Sequence, residues 1–219
     1  PMFPHYAQAT TESSLKHAHH QLSKMKWEPN LLEMNHFETA EEFIAPLTES
    51  IRPHLSEDTH LLFSYHGLPI SHVKRIDTSK SHCQTVEDCC TISCEGNSLC
   101  YGHHCYKTTM AVVERLGLPS DRWSLSYQSR VGPVKWLEPS TTQMVEALVK
   151  KGVKKLAIVA PAFLADGLET LEELDIGIRE EFMEHGGTEL KVINCLNDDE
   201  QWIQGLEQLI AKEFQQAVA

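Results

Sequence analysis

The chain has 219 residues, of which 41% are hydrophobic and 23% are charged, so it can bury a full core and has the composition of a globular protein. Lys and Arg number 19 against 31 Asp and Glu, a formal charge of -12, which argues against nucleic acid as the main partner because phosphate binding needs clustered cations. No apolar run approaches the roughly 18 residues of a membrane span. The opening residues, 1–4, lack the features of a signal peptide, and we interpret them as an internal boundary of a longer protein.

The first part of the chain predicts a loop followed by a helix. Residues 1–11 are rich in Pro, aromatic residues and Thr, which is typical of a loop. Thr11 can cap a helix that runs to about Trp27. A short strand is predicted for residues 30–34.

A second helix is predicted just beyond. The pattern Thr39-Ala-Glu-Glu42 is typical of a capping box and predicts a helix that begins there. Three apolar residues of this helix are predicted to face the core: Phe43, Leu47 and Ile51. Pro46 lies within the pattern and predicts a kink or a late start.

Residues 61–69, with the sequence Leu-Leu-Phe-Ser-Tyr-His-Gly-Leu-Pro, predict a buried strand that Gly67 and Pro69 end. His66 is then the last side chain of the strand, at the edge of a sheet. On this stretch alone, a hydrogen-bonded structural histidine is favoured over a functional one.

Strands and helices alternate from residue 107 onwards. Helices are predicted for residues 107–116 (ended by Gly117), 141–151 (ended by Gly152) and 168–184, followed by a last helix after residue 200, and strands for residues 123–128, 155–160 and 190–193. Apolar spacing in the last two helices predicts these core residues: Leu171, Leu174, Ile178, Phe182, Trp202, Leu206, Leu209 and Ile210. This alternation implies βαβ units, and therefore an α/β fold with a parallel, Rossmann-like sheet.

In such sheets, ligands bind in the crevice beyond the carboxyl ends of the strands. Three stretches should lie there: residues 66–69, 127–139 and 161–173. They bring a histidine, an arginine, a tryptophan and several acids towards one cleft. Glu169 and Glu173 are four residues apart in the first turns of a helix, where the helix dipole tolerates acids. Two carboxylates and a histidine also suit proton abstraction or the weak binding of a metal ion.

Four motifs in order together resemble ferrochelatase, the enzyme that inserts ferrous iron into a porphyrin late in haem synthesis. They are Ser-Tyr-His-Gly-Leu-Pro (64–69), Tyr-Gln-Ser-Arg-Val-Gly-Pro (127–133), Trp-Leu (136–137) and Leu-Glu-Thr-Leu-Glu-Glu-Leu-Asp (168–175). The opening Pro-Met-Phe-Pro-His-Tyr with Thr10 and Thr11 is similar to a further stretch of that family.

The resemblance implies two similar Rossmann-like, chelatase-like lobes with the porphyrin between them. The first lobe is then incomplete here, with residues 1–55 as its remainder. Residues 56–219 form the C-terminal lobe, with a cysteine-rich insertion at about 77–104 and a returning C-terminal helix. The lip that covers the porphyrin in the family is missing, and weak membrane association is expected only through that lip.

The resemblance also assigns roles to individual residues. The expected catalytic residues are His66, Glu169 and Glu173, with His66 and Glu169 also as ligands of the substrate iron. The expected porphyrin-binding residues are Tyr127, Ser129, Arg130 and Trp136, where Trp136 offers a flat wall and Arg130 pairs with a propionate. The implied reaction is that of a lyase, in which Fe²⁺ enters protoporphyrin IX as two pyrrole protons leave, the final step of haem biosynthesis. This chain carries Gly167 where many members of the family have a histidine.

Five of the seven cysteines lie within residues 83–100, a crowding that fits a metal or cluster site in a reducing compartment better than a disulfide framework. A group of bacterial ferrochelatases is similar, with an internal segment that holds a [2Fe–2S] cluster. The ligands expected from this resemblance are Cys83, Cys90, Cys94 and Cys100, because the adjacent Cys89 and Cys90 should not both bind one cluster. Structural zinc, disulfides and free thiols are the alternatives. The expected location is the cytoplasm.

Two other functions stay open. The first is a related chelatase that uses coproporphyrin or inserts cobalt into another tetrapyrrole. The second is a non-catalytic iron–sulfur or tetrapyrrole-binding sensor, which would not need His66 and Glu169 together. The joint presence of these two residues favours the enzyme.

Overall fold

The computed structural model describes residues 1–218, and the side chains of residues 1–215. Ala219, the last residue of the predicted C-terminal lobe, lies outside the described part. Four parallel strands form one sheet in the order β2-β1-β3-β4. The strands are β1 (Thr59–His66), β2 (Trp123–Gln128), β3 (Lys155–Val159) and β4 (Glu189–Val192). The predicted α/β class with a parallel sheet is therefore confirmed.

Helices flank the sheet and connect its strands. They are α1 (Ser13–Met25), α2 (Glu41–Ile51), α3 (Ile70–Ile76), α4 (Tyr101–Leu116), α5 (Thr141–Lys150), α6 (Arg179–Glu184) and α7 (Glu200–Val218). A π-helical turn, Gln8–Glu12, precedes α1, and a longer π-helical segment, Glu169–Ile178, leads directly into α6. None of the described helices is long and apolar enough to cross a bilayer.

The core has two parts, one on each face of β1. Leu61, Phe63 and Tyr65 face a cluster that includes side chains of α2, α4 and α7. Leu62 lies between them in sequence and faces a second cluster built from α5, the π-helical segment and α6. Because both faces are covered, the strand is an almost continuous apolar run, as parallel strands usually are.

Three predictions in the first 55 residues are wrong. Thr11 caps no helix, because it lies inside the π-helical turn and its hydroxyl has no hydrogen-bond partner. Residues 30–34 form no strand, because residues 27–37 run without regular structure, and Leu31 and Leu32 are left exposed. The capping box is also absent: α2 begins at Glu41 after Ala40, so Thr39 lies one residue too early to cap it and no side chain does so. The three predicted core residues of α2 are nevertheless buried: Phe43, Leu47 and Ile51.

Two predicted core positions face solvent. Leu171 is 55% exposed and Ile210 is 47% exposed. Leu171 lies in the π-helical segment, where i→i+5 hydrogen bonds widen the helix and remove the 3.6-residue period on which the prediction depended. Two features were not predicted: α3, and the start of α4 at Tyr101 within the expected insertion.

Candidate functional site

The last residue of β1, His66, lies at the carboxyl edge of the sheet and is half-buried. Its Nδ1 is 2.7 Å from the carbonyl oxygen of Gly67. A carbonyl only accepts hydrogen bonds, so Nδ1 carries the proton and donates it. This bond selects the tautomer with the proton on Nδ1, which directs the lone pair to Nε2. Phe163, from the loop after β3, lies beside this ring with a centroid separation of 6.0 Å.

Gly67 allows the segment after His66 to lie close against the segment after β2. A Cβ atom at position 67 would be 2.8 Å from the Gln128 carbonyl oxygen and 3.3 Å from the Trp136 ring. The amide of Gly67 donates to that same oxygen at 2.7 Å, and the amide of Leu137 donates to Leu68 at 2.9 Å. Trp136 is therefore fixed against Gly67, the residue that follows His66.

The residue that pairs with His66 across the sheet, Gln128, connects β2 to the predicted acidic helix. Its side-chain amide donates to the backbone oxygen of Glu169 at 2.8 Å. The next residue, Ser129, donates from both its amide (2.7 Å) and its hydroxyl (2.6 Å) to the Glu173 carboxylate. Ser129 has a left-handed backbone with φ of 61°, which costs a non-glycine residue energy and which these two bonds offset. The backbone of Glu169 and the carboxylate of Glu173 are thus held at the end of β2.

The other two predicted porphyrin contacts are placed differently. Arg130 donates to the backbone oxygen of Leu137 at 2.7 Å and is 3.9 Å from the Glu138 carboxylate, with 28% of its side chain exposed. Tyr127 is buried on the face of the sheet that α4 covers, behind the strand ends. Arg130 is thus still accessible at the cleft edge, whereas the structure does not bring Tyr127 to the open side.

Exposed apolar side chains surround these strand ends. Val131 is 76% exposed, Val134 is 54% exposed and Leu168 is 78% exposed. The first two lie on the loop after β2, and the third directly precedes the π-helical segment. Sequence reasoning missed them, because a valine or leucine next to a motif carries no sign of which way it points. Together they give the cleft an apolar surface that suits a large flat ligand.

The cysteine segment, residues 77–100, is held by two buried polar side chains. The Asp77 carboxylate accepts hydrogen bonds from the amides of Ser79, His82 and Cys83 at 2.8 to 3.0 Å. These bonds, with that from the Ser79 hydroxyl, hold the pKa of Asp77 well below its usual range. The Asn97 side chain similarly binds the backbone of Cys94 and two other residues of the segment. The segment is therefore an ordered unit.

Four of its five thiols converge near the start of α4. The thiol of Cys90 lies near those of Cys89 and Cys100, and the buried Cys83 also lies near Cys89 and Cys100. Cys94 is exposed, and its backbone amide donates to Asn97. No three cysteine thiols in the described part of the chain lie within 4.8 Å of one another. The structure thus brings together Cys83, Cys90 and Cys100 of the predicted set, with Cys89 rather than Cys94 beside them.

The first turn of α4 shapes this thiol group. The neighbouring Cys90 thiol holds the pKa of Cys100 below its usual value, and the backbone amides of His103 and Gly102 act in the same direction. A Cβ atom at Gly102 would lie only 2.7 Å from the Cys90 sulfur. Glycine therefore leaves the space in which the sulfur sits. Thiols converging on a helix N-terminus form a donor set that suits a thiolate-bound metal or cluster.

One compact group of potential metal ligands occurs in the described part of the chain: His36, Glu38 and His104. Its donors already have protein partners. Glu38 is bonded to Lys107 and His36, while His104 accepts from the Tyr6 amide and contacts the Ser98 oxygen at 2.7 Å. Burial alone would raise the pKa of Glu38, but these cationic and hydrogen-bonding neighbours hold it well below its usual range. We interpret this group as an internal ion pair.

Comparison with known proteins identifies the family. The family model described as ferrochelatase matches residues 1–214. A ferrochelatase of Pseudomonas fluorescens (strain Pf0-1) is 41% identical over 211 residues, and one of Bdellovibrio bacteriovorus is 40% identical over 214 residues. These alignments cover 95% and 96% of this chain and 62% of each relative, so the chain spans less than two thirds of their length. A putative cobalamin biosynthesis CbiX protein from Marinobacter aquaeolei VT8 superposes with a TM-score of 0.42 and 14% identity, covering 72% of this chain and 98% of that one. The predicted resemblance is confirmed by the family model and the relatives: the chain belongs to the ferrochelatase family.

Proposed function

We propose that the complete protein to which this chain belongs is a lyase that inserts Fe²⁺ into protoporphyrin IX, the final step of haem biosynthesis. The observation that carries the proposal is the hydrogen bond of 2.7 Å between Nδ1 of His66 and the Gly67 oxygen. It places the ring proton on Nδ1, so Nε2 is the nitrogen that can accept a proton. Metal insertion needs such a base, because two pyrrole protons must leave the centre of the ring.

The surrounding residues bind the porphyrin. Trp136 and the exposed apolar side chains of Val131 and Leu168 offer flat surface for the macrocycle. Arg130, which keeps part of its side chain accessible, pairs with a propionate. Ser129 precedes it at the end of β2, whereas the buried Tyr127 supports this strand end from behind.

The carboxylates of Glu169 and Glu173 handle the iron and the protons. Imidazole and carboxylate bind Fe²⁺ weakly enough to release it, so His66 and Glu169 act as the ligands of the incoming substrate iron. Glu173, which Ser129 holds at two oxygens, continues the acidic path along the π-helical segment and carries protons away from the centre.

A direct test is insertion of Zn²⁺ or Fe²⁺ into protoporphyrin IX by the longer protein. His66→Ala should abolish insertion while leaving folding intact. His185→Ala, at the exposed residue that follows α6, is the matched control. Retained activity in His66→Ala would contradict the assignment. Parallel rates with coproporphyrin, and with cobalt and other tetrapyrroles, identify the preferred substrates, and binding without insertion would favour a sensor. We place the reaction in the cytoplasm, where thiols stay reduced.

We further propose that the cysteine segment holds a [2Fe–2S] cluster. Support comes from the convergence of thiols at the start of α4 and from the space at Gly102. Cys83, Cys90 and Cys100 would supply three ligands. The fourth would be Cys94, as the family resemblance implies, or Cys89, which lies closer to the other thiols. When bound, such a cluster would crosslink the segment and could exchange one electron.

Analysis of the purified protein tests this second proposal. A brown sample with equal iron and acid-labile sulfide is expected, and a colourless sample with stoichiometric zinc would contradict it. Cys94→Ser and Cys89→Ser then identify the fourth ligand, since only one of them should lose the visible absorption. Cys195→Ser, outside the segment, is the control.

A further inference from the structure

The residue that follows Cys100 in the chain, Tyr101, reaches the candidate catalytic histidine directly. Its side chain is 6% exposed, and its hydroxyl donates a hydrogen bond of 2.8 Å to the backbone oxygen of His66. The ring of His66 is bonded to the next carbonyl, that of Gly67. Two successive peptide groups at the end of β1 are therefore fixed, one by Tyr101 and one by the histidine itself.

The same first turn of α4 is fixed to the cysteine segment. Cys100 is the N-cap residue of the helix, and its backbone oxygen accepts a hydrogen bond of 2.9 Å from the His104 amide. Gly102 packs against the Cys90 sulfur with no room for a side chain. Tyr101 thus lies between two residues that contact the thiols, and the position of its backbone depends on theirs.

We propose that Tyr101 is a positioning residue that holds the His66 backbone and ties it to the state of the cysteine segment. When the thiols are held in place, the first turn of α4 is fixed and the Tyr101 hydroxyl stays on the His66 oxygen. When they are released, this turn shifts and the histidine loses its support. The inference rests on the proposed metal insertion and on the proposed cluster.

Removal of the hydroxyl tests the first half of the proposal. In the longer protein, Tyr101→Phe should lower kcat for metal insertion about tenfold, because a small displacement of a catalytic group has a large effect on rate. The KM for porphyrin should stay within about twofold, since the surfaces that bind the ring are untouched. A merely structural role would not separate kcat from KM in this way.

Tyr65→Phe is the matched control. Tyr65 is also buried, and its hydroxyl pairs with that of Thr109 at 2.8 Å, so this variant loses a comparable internal hydrogen bond. It should lower stability to a similar degree and leave kcat unchanged. An equal fall of kcat in both variants, or no fall in Tyr101→Phe, would overturn the proposal.

Gly102→Ala tests the connection to the thiols. Alanine favours a helix over glycine, so this change should not weaken α4 by itself. It forces the Cys90 sulfur to move, and we expect the visible absorption of the cluster to fall together with kcat. In a double-mutant cycle, adding Gly102→Ala to Tyr101→Phe should lower kcat by less than about twofold below that of Tyr101→Phe alone, because both substitutions act through the same contact. Full additivity would refute the coupling.

Hydrogen exchange gives a readout that does not depend on catalysis. Tyr101→Phe and Gly102→Ala should each speed amide exchange of residues 66–70 by about fivefold or more relative to residues 155–159 in β3. Unchanged exchange would overturn the inference whatever the activity. A wild-type protein that inserts no metal would contradict the proposed function instead, and the exchange measurement would still decide the role of Tyr101.

Discussion

Replacing Ser129 separates the energy of its bonds to Glu173 from the cost of its backbone conformation. Ser129→Ala removes the hydroxyl bond of 2.6 Å to the carboxylate and keeps the left-handed φ of 61°. Hydrogen bonds to a charged group contribute about 1.5 to 3 kcal/mol, and because this pair is only partly buried we expect a loss of about 1 to 2 kcal/mol. Ser129→Gly removes the same bond but relieves a left-handed conformation that costs roughly 1 to 2 kcal/mol.

Urea unfolding of the two variants checks this reasoning. Ser129→Ala should be less stable than the wild type. Ser129→Gly should be more stable than Ser129→Ala by about 1 kcal/mol, after allowance for the greater freedom of glycine in the unfolded chain. Glu173→Gln should lose stability as well, since it weakens both bonds from Ser129. If Ser129→Ala proves as stable as the wild type, or Ser129→Gly proves the less stable of the pair, the contact does not hold Glu173 in place as described.

Two further predictions concern stability. Gly67→Ala places a Cβ atom 2.8 Å from the backbone oxygen of Gln128, which cannot move aside. Urea unfolding should therefore show that the free energy of unfolding falls by about 1 to 3 kcal/mol. Gly177→Ala is the control and should cause no such loss, because the nearest non-neighbouring atom around its Cβ position is 3.8 Å away. Burial lowers the pKa of His104 from 6.5 to about 4. The unfolded chain therefore binds more protons there between these pH values, so stability is full above pH 6.5 and falls as the pH drops towards 4, by up to about 1.4 kcal/mol per pH unit. In His104→Asn the difference in unfolding free energy between pH 7 and pH 5 should shrink by about 2 kcal/mol, and an unchanged difference would show that His104 is not buried in its neutral form.

The sheet and the position of His66 could be predicted from the sequence because both depend on local signals. An apolar run ended by Gly67 and Pro69 marks β1, and β2 was predicted at its observed bounds, Trp123–Gln128. Parallel topology follows from the alternation of elements, and topology in turn brings strand ends to one edge. The candidate site followed from these steps and from the family resemblance.

Other features depend on contacts that no local pattern reveals. The π-helical segment keeps the composition of an ordinary helix, so Leu171 was expected in the core. Tyr101 was expected within an irregular insertion, and only the fold brings its hydroxyl to His66, 35 positions away in the chain. The choice between Cys89 and Cys94 likewise depends on how the segment folds around Asp77 and Asn97, not on the spacing of its cysteines.

The central claim is that His66 supplies the base for metal insertion without being needed to bind the porphyrin. The most direct measurement uses the longer protein with protoporphyrin IX already bound, and follows porphyrin binding and a single turnover with Zn²⁺ by fluorescence in the same sample. We expect His66→Ala to bind porphyrin with a Kd within about twofold of the wild type and to form no zinc porphyrin on the time scale of wild-type turnover. Metallation at the wild-type rate by His66→Ala would contradict the account.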